Sequence, residues 1–314
     1  MLPTIRISKS GAVIITLIVT FLLGFSSIWG LKSYGWTVFV ILPFFIGLLP
    51  PLLAGREKAL TWKESWKLAF ITLGAAIVGL LAFAMEGMIC IAMASPLEIL
   101  LTLAGAFVGY RWQVGRIRKP TKWYMLVMIG AMLSLSFDYV QGPPTQLRSV
   151  VSQVEIAAPP QKIWDNLIAF SPLPAPTEWY FKTGIAYPTH ATIEGQGVGA
   201  VRYCNFSTGS FVEPITLWDE PHLLQFDVAS QPIPMNEFNP FWDIHPPHLD
   251  GYFLSKKGQF KVIPVDDAHT ILEGTTWYQV DIYPQKYWQQ WSDYIIHRIH
   301  LRVLDHIKSE AEKK

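Results

Sequence analysis

Residues 11–30, GAVIITLIVTFLLGFSSIWG, run for 20 positions without a charged side chain. That is the helix length needed to cross the hydrocarbon of a bilayer. The run is repeated down the amino-terminal half. Residues 36–55 are a second uncharged stretch, and residues 66–85 carry only Lys67. Residues 96–110 are short, but the apolar residues from Cys90 onward extend them to a span over 90–110. Residues 123–139 make a fifth. Pro43, Pro50 and Pro51 kink the second span, which a packed bundle tolerates. A cleaved signal peptide does not account for the first run: no small-x-small site follows it, and four more spans do. Residues 1–140 are thus expected to form an all-α transmembrane bundle.

Charge gives the bundle a direction. Residues 1–140 hold 12 Lys/Arg against 5 Asp/Glu, and residues 141–314 hold 13 against 19. The net +1 conceals two different halves. Neither has the basic, aromatic-interleaved surface that nucleic acid requires. Arg6 and Lys9 precede the first span; Arg56, Lys58, Lys63 and Lys67 lie between the second and third. Arg111, Arg116, Arg118, Lys119 and Lys122 lie between the fourth and fifth, whereas the alternate loops hold only Lys32. Basic loops stay in the cytoplasm. The amino terminus is expected inside, and five crossings put everything after about Tyr139 outside the cell membrane. Cys90 and Cys204 lie in different halves and are not expected to pair.

Residues 141–148 read as a linker, and the period then changes. SVVSQVEIAA (149–158) alternates as a strand does. Pro159 and Pro160 open a helix with Ile163, Trp164, Leu167 and Ile168 on one face. Strand signals separated by turns follow: THATIEG, AVRYCNF, SFVEPITLWDE, LLQFDVA, GYFLSKKGQFKVIPV and HTILEGTTWYQVDI. A long helix opens at Pro284–Gln285 and runs to the end. At 100° per residue, Trp288, Ser292, Ile295, Ile296, Ile299, Val303 and Ile307 form its apolar stripe, with His306 on it, His300 on the flank and His297 on the far side. Strand, helix, antiparallel strands and long terminal helix make an α+β layer fold.

VSQVEIAAPPQKIWDNL, the GlnGlyValGly turn, LWDEPHLLQF and the long amphipathic helix resemble, in this order along residues 150–312, the SRPBCC or START-like superfamily (polyketide cyclase/dehydrase and lipid transport proteins, Bet v 1-like). The resemblance implies a helix-grip domain over residues 149–314, an antiparallel sheet wrapped on the carboxy-terminal helix. It also implies a cavity between the two that usually holds an apolar ligand. It supplies no universal catalytic residue and no cofactor, and the amino-terminal half lies outside it.

Several residues compete for a functional role. The glycines at 195, 197 and 199 are followed by a strand rather than the helix a phosphate loop needs, so they read as a hairpin. FWDIHPPHLDGYF (241–253) holds His245 and His248 at a spacing two metal ligands can have, with Asp243 or Asp250 as a third. Its two prolines oppose the helix that would aim both rings at one ion. The stretch also reads as a rigid loop, or as a cavity mouth with Phe241, Trp242, Tyr252 and Phe253 giving apolar contact and the histidines giving donors; the last reading is favoured. Arg202 and Glu213 stand at mirrored distances from a SerThrGly turn. Facing inward as cross-strand neighbours they would fix a polar head group, and facing outward they would contribute little. Trp277, Tyr278, Trp288 and Trp291 cluster around the last strand and helix start, where core and cavity lining coincide. Glu86 lies at the edge of the third span, either an intramembrane functional carboxyl or part of an interfacial segment.

The expected function is membrane-tethered binding, transfer or sensing of a hydrophobic small molecule or lipid. The lining would be Arg202, Glu213, Phe241, Trp242, His245, His248, Tyr252, Tyr278, Trp288, Ile295 and Ile299. The alternative is a cyclase, dehydratase or hydrolase acting on an apolar substrate, with His245, His248 or Glu213 as acid–base groups, or His245, His248 and Asp250 on a metal.

Overall fold

The computed structural model describes residues 7–114, 120–140 and 147–313. Arg6, Arg116, Arg118, Lys119 and the linker residues 141–146 lie outside the described residues. The chain divides into two compact units. One comprises Met1–Pro143 with Glu237–Pro247 and Ile282–Pro284; the other comprises Pro144–Asn236, His248–Asp281 and Gln285–Lys314.

The first unit is helical. Helix α1 (Lys9–Phe25) continues through a π-helical turn, Ser26–Gly30, and a second such turn, Thr37–Ile41, leads into α2 (Leu42–Ala54). Then come α3 (Trp62–Ala82), α4 (Met88–Val114) and α5 (Pro120–Val140). Four segments, Lys9–Gly30, Thr37–Ala54, Trp62–Ala82 and Met88–Gln113, are long and apolar enough to cross a membrane. The fifth described apolar stretch, Met125–Val140, is shorter. The outside of the bundle is oily: Ile14, Ile18, Leu22, Ile71, Leu100 and Phe107 are all exposed. Its inside is packed on small residues, as helices in a membrane are. A Cβ added to Gly47 would stand 2.0 Å from the Thr102 carbonyl oxygen, and one added to Gly105 would stand 2.1 Å from that of Phe44. At this crossing of α2 and α4 the Thr102 hydroxyl donates to the Pro43 carbonyl at 3.1 Å.

Contacts sort the helix ends into two groups. At one end Lys9 pairs with Glu64 at 2.8 Å, Thr61 and Glu64 form a capping box on α3, and Gln113 near the end of α4 accepts from the Leu60 N–H. At the other end Asp138, near the end of α5, accepts from the Trp36 and Thr37 N–H groups at 2.9 and 3.1 Å. Tyr34 there donates to Glu86 at 2.9 Å, in the turn between α3 and α4. The segments 237–247 and 282–284 join this second end. Glu237 accepts from the Ile89 and Cys90 N–H groups, capping α4 with a carboxylate where the helix dipole favours one. Asn239 donates to the Leu81 and Glu86 carbonyls, Trp242 to that of Ala82, and the Tyr283 N–H to that of Tyr34.

The second unit is the helix-grip fold. Seven strands, β1 (Arg148–Ile156), β2 (Pro188–Glu194), β3 (Val201–Phe206), β4 (Gly209–Asp219), β5 (Leu223–Asp227), β6 (Phe253–Pro264) and β7 (Thr270–Val280), form one antiparallel sheet in the order β1-β7-β6-β5-β4-β3-β2. Two short helices, α6 (Pro160–Leu167) and α7 (Trp179–Lys182), separate β1 from β2, and α8 (Gln285–Ala311) closes the chain. Pro159 is extended and Pro160 enters the first turn of α6, where its missing N–H has no carbonyl to serve. Gly195, Gly197 and Gly199 hold positive φ in the β2–β3 turn, so the glycine-rich stretch is a hairpin.

Alternation puts Ile156, Leu224, Val262 and Leu272 on the concave face, where Trp164 of α6 and Val303, Leu304, Ile307 and Ala311 of α8 pack on them. The buried face of α8 is turned relative to the stripe drawn from the sequence. Leu304 is wholly buried, Ile295 and Ile299 are half-buried, and His297, expected on the far side, faces β1. The physical reason lies in β1: Ser152 offers a hydroxyl that an imidazole can meet and an isoleucine cannot.

Candidate functional site

The register of the β3–β4 hairpin answers the question that the sequence left open. Arg202 and Glu213 are direct cross-strand partners. Both face the interior and are buried, Arg202 to 1% exposure. Arg202 Nη1 donates to Glu213 Oε2, and Nε donates to the Ile168 carbonyl at 3.2 Å. The guanidinium lies 5.5 Å from the Phe170 ring, 5.6 Å from Phe226 and 5.5 Å from Phe260. Three aromatic faces around one cation make a cage that favours positive charge where water is excluded. Burial opposes that charge, and the Glu213 carboxylate outweighs it, holding the Arg202 pKa above its ordinary value. Nη2 meets no hydrogen-bond acceptor among the described residues. Burial, then Glu213, pushes the nearby Cys204 thiol up to about 12, so it is neither a nucleophile nor a thiolate ligand at neutral pH.

A second polar cluster lies between α8 and the β1–β7 edge. Ser152 Oγ is 2.7 Å from His297 Nδ1 and 3.1 Å from His300 Nδ1, and Thr276 Oγ1 is 2.7 Å from His300 Nε2. One turn back, the Tyr278 hydroxyl donates to Asp293 at 2.7 Å, and Asp293 is held by Arg148. Burial, then His297, lowers the His300 pKa to about 4, so this ring is neutral at physiological pH and both its nitrogens are engaged by hydroxyls. In the unfolded chain a histidine titrates near 6.5, so between these values the folded state binds fewer protons. His300 therefore favours the fold above about pH 6.5, and this contribution is lost as pH falls toward 4; it is on the order of 3 kcal/mol. Urea unfolding followed by tryptophan fluorescence across that window should reveal the slope, and His300→Asn should flatten it.

The remaining sequence candidates divide between the two units. Phe241, Trp242 and His245 fold with the helical unit, whereas His248, Asp250 and Tyr252 belong to the sheet unit. Phe241 and Trp242, expected at a cavity mouth, are exposed, and Trp242 is tied by its indole N–H to the carboxy-terminal end of α3. The HisProProHis stretch forms no continuous helix, since only Pro247–Leu249 makes a 3-10 turn. Tyr278 and Trp288 are buried, Tyr278 against Phe253 with ring centroids 5.4 Å apart. Trp277 lies on the opposite face of β7, under Lys257.

Sequence reasoning missed Ser152, Thr276, Asp293 and the three phenylalanines. The alternation of β1 marks Ser152 as an inward polar residue among Val150, Val154 and Ile156, a signal that was available. Phe226 and Phe260 reach Arg202 only through the pairing of β4, β5 and β6, which no local pattern announces.

No protein-family model matches the chain, and no curated protein matches it. Solved structures do resemble it. Truncated norcoclaurine synthase from Thalictrum flavum is 15% identical, over 55% of this chain and 99% of its own, with a TM-score of 0.35. The Zhui aromatase/cyclase from Streptomyces sp. R1128 is 14% identical, over 53% and 94%, with a TM-score of 0.33. The Aha1 dimer from Colwellia psychrerythraea is 15% identical, over 51% and 96%, with a TM-score of 0.30.

Proposed function

We propose that this chain is a membrane-tethered binding protein for a hydrophobic small molecule or lipid, held between the concave sheet and α8. The observation that carries this reading is Arg202. A sheet domain that needed only a filled core would gain nothing from a guanidinium buried in it. A cation caged by three rings, with one nitrogen still able to donate, is suited to the polar or anionic end of an otherwise apolar ligand. Membership of the START-like superfamily is part of the same reading.

The oily exterior and the two groups of helix ends support crossing of the membrane with the amino terminus inside. Lys9, Arg56, Lys58 and Lys63 cluster at one end. Residues 31–36, 83–87 and the end of α5 lie at the other, from which the chain leads into the sheet domain. Exposed Phe238, Phe241 and Trp242 at that end suit the headgroup region. A pocket held at a bilayer meets apolar ligands at high local concentration.

Native mass spectrometry of the full chain released from nanodiscs is expected to find a co-purified lipid or lipid-like molecule. A chain that emerges bare, and takes up none from a lipid extract, would falsify the reading. A reporter fused after Lys314 should be active only outside the cytoplasm; cytoplasmic activity overturns the topology.

One observation favours catalysis as a second reading. Ser152 between two imidazoles is a group that can take and return a proton beside an apolar interior. Loss of turnover with retained ligand in His297→Ala would identify an enzyme.

A further inference from the structure

The helical unit contains a pocket of its own. It lies among α1, α2, α3 and α4, a cavity of about 90 Å³ that is continuous with the surroundings. Its walls are almost wholly apolar, with Phe21, Phe39, Leu73 and Leu80 among them, and the acidic groups in them are Glu86 and Glu98. No lysine, arginine or histidine is among the residues that line it. Cys90, Ala94 and Glu98 stand four residues apart on one face of α4, and all three line the pocket. Glu86 lies in the turn just before that helix, with the Tyr34 hydroxyl on its Oε1. The pocket therefore runs along α4 from a carboxyl at the helix end to a carboxyl close to the helix middle.

The position of Glu98 is chemically expensive. In a membrane-crossing helix, a carboxyl near the midpoint faces either a protein cavity or a partner, because lipid offers neither water nor counter-charge. Here it faces a cavity with no lysine, arginine or histidine among its described lining residues. From the pocket, its apolar walls and these two carboxyls, we propose that the helical unit binds an amphiphile carrying a protonated amine, its tail along the apolar walls and its ammonium group on Glu98 or between Glu98 and Glu86. This site is separate from the one around Arg202, whose chemistry has the opposite sign. It takes from the functional reading only that the helices cross the membrane.

The test uses the full chain in phosphatidylcholine nanodiscs with a diazirine derivative of dodecylamine, the labelled residues being mapped by mass spectrometry. Label is expected on the α3 and α4 peptides that line the pocket. Unlabelled dodecylamine should compete it away and dodecanol should not. Glu98→Gln should lower pocket labelling about tenfold, the loss that one charged hydrogen bond accounts for. Ala76→Trp fills the pocket with both carboxyls retained and should lower it equally, whereas Glu57→Gln should leave it unchanged. Equal competition by dodecanol overturns the proposal, since it would mean that the carboxyl is neutral and the headgroup unread. Label confined to lipid-facing residues overturns it too, as does wild-type labelling in folded Glu98→Gln. The competition arm needs no variant, so it decides even if both substitutions unfold the bundle. Because label is mapped to residues 73–98, its failure leaves the sheet-domain reading standing.

Discussion

Arg202→Met should destabilise the sheet unit by about 3–5 kcal/mol, the cost of leaving one buried charge without its partner. Glu213 would remain in a site built by Phe170, Phe226 and Phe260 to favour a cation, with its guanidinium gone. The companion expectation makes the result interpretable. Arg202→Met combined with Glu213→Leu removes both charges from an interior that is otherwise apolar, and should recover most or all of the stability. Urea unfolding followed through the tryptophans measures both. If the single variant is as stable as the parent, the ion pair is not buried in solution. The double variant also separates folding from binding. It should be folded and should retain less of the co-purified ligand, because a methionine offers the head group nothing. A stable double variant that keeps its ligand would remove Arg202 from the binding site.

These two residues also mark how far the sequence could be read. The seven strands and the terminal helix were visible as alternation and periodicity because one face of each must be apolar. The mirrored placement of Arg202 and Glu213 about their turn was visible too, and the register bears that pairing out. Their common direction was not, since period 2 gives two faces without saying which is covered. On α8 the apolar stripe was traced correctly as to existence and missed as to centre. Hydrogen bonds with Ser152 and Thr276 bring His297 and His300 into the interface, and a hydrophobicity pattern scores both as polar. FWDIHPPHLDGYF was legible in composition but not in its partners. It read as a cavity mouth because aromatic residues flank its two histidines. Glu237, Asn239 and Trp242 instead donate to or accept from the backbone around the α3–α4 turn, a tertiary contact between residues about 150 apart in the chain.

The sheet unit buries an ion pair, Arg202 with Glu213, and the helical unit sets Glu86 and Glu98 in the walls of an apolar pocket. Both proposed sites depend on how closely their walls approach.

In the helical unit that dependence rests on two glycines. Gly105→Val should abolish the folded, monodisperse state of the full chain, with a loss of about 3 kcal/mol or more. Overpacking in a core usually costs about 1–3 kcal/mol because side chains can turn aside. Here the first added carbon would already stand 2.1 Å from the Phe44 carbonyl oxygen and 2.9 Å from the Leu48 nitrogen, and backbone cannot turn aside. Helix α4 would have to move off α2, losing the Thr102–Pro43 hydrogen bond and the wall that Leu42, Pro43 and Ile46 give the pocket. Gly47→Val should behave alike, its Cβ meeting the Thr102 carbonyl oxygen at 2.0 Å. Gly74→Ala is the control: nothing lies within 4 Å of a Cβ there, and helix propensity alone should stabilise the chain by about 1 kcal/mol. Size-exclusion profiles and thermal melts of the three variants in one detergent decide the matter. A Gly105→Val chain that melts with the parent would mean that α2 and α4 do not cross at backbone contact, and the pocket between them would have no fixed shape to recognise a ligand.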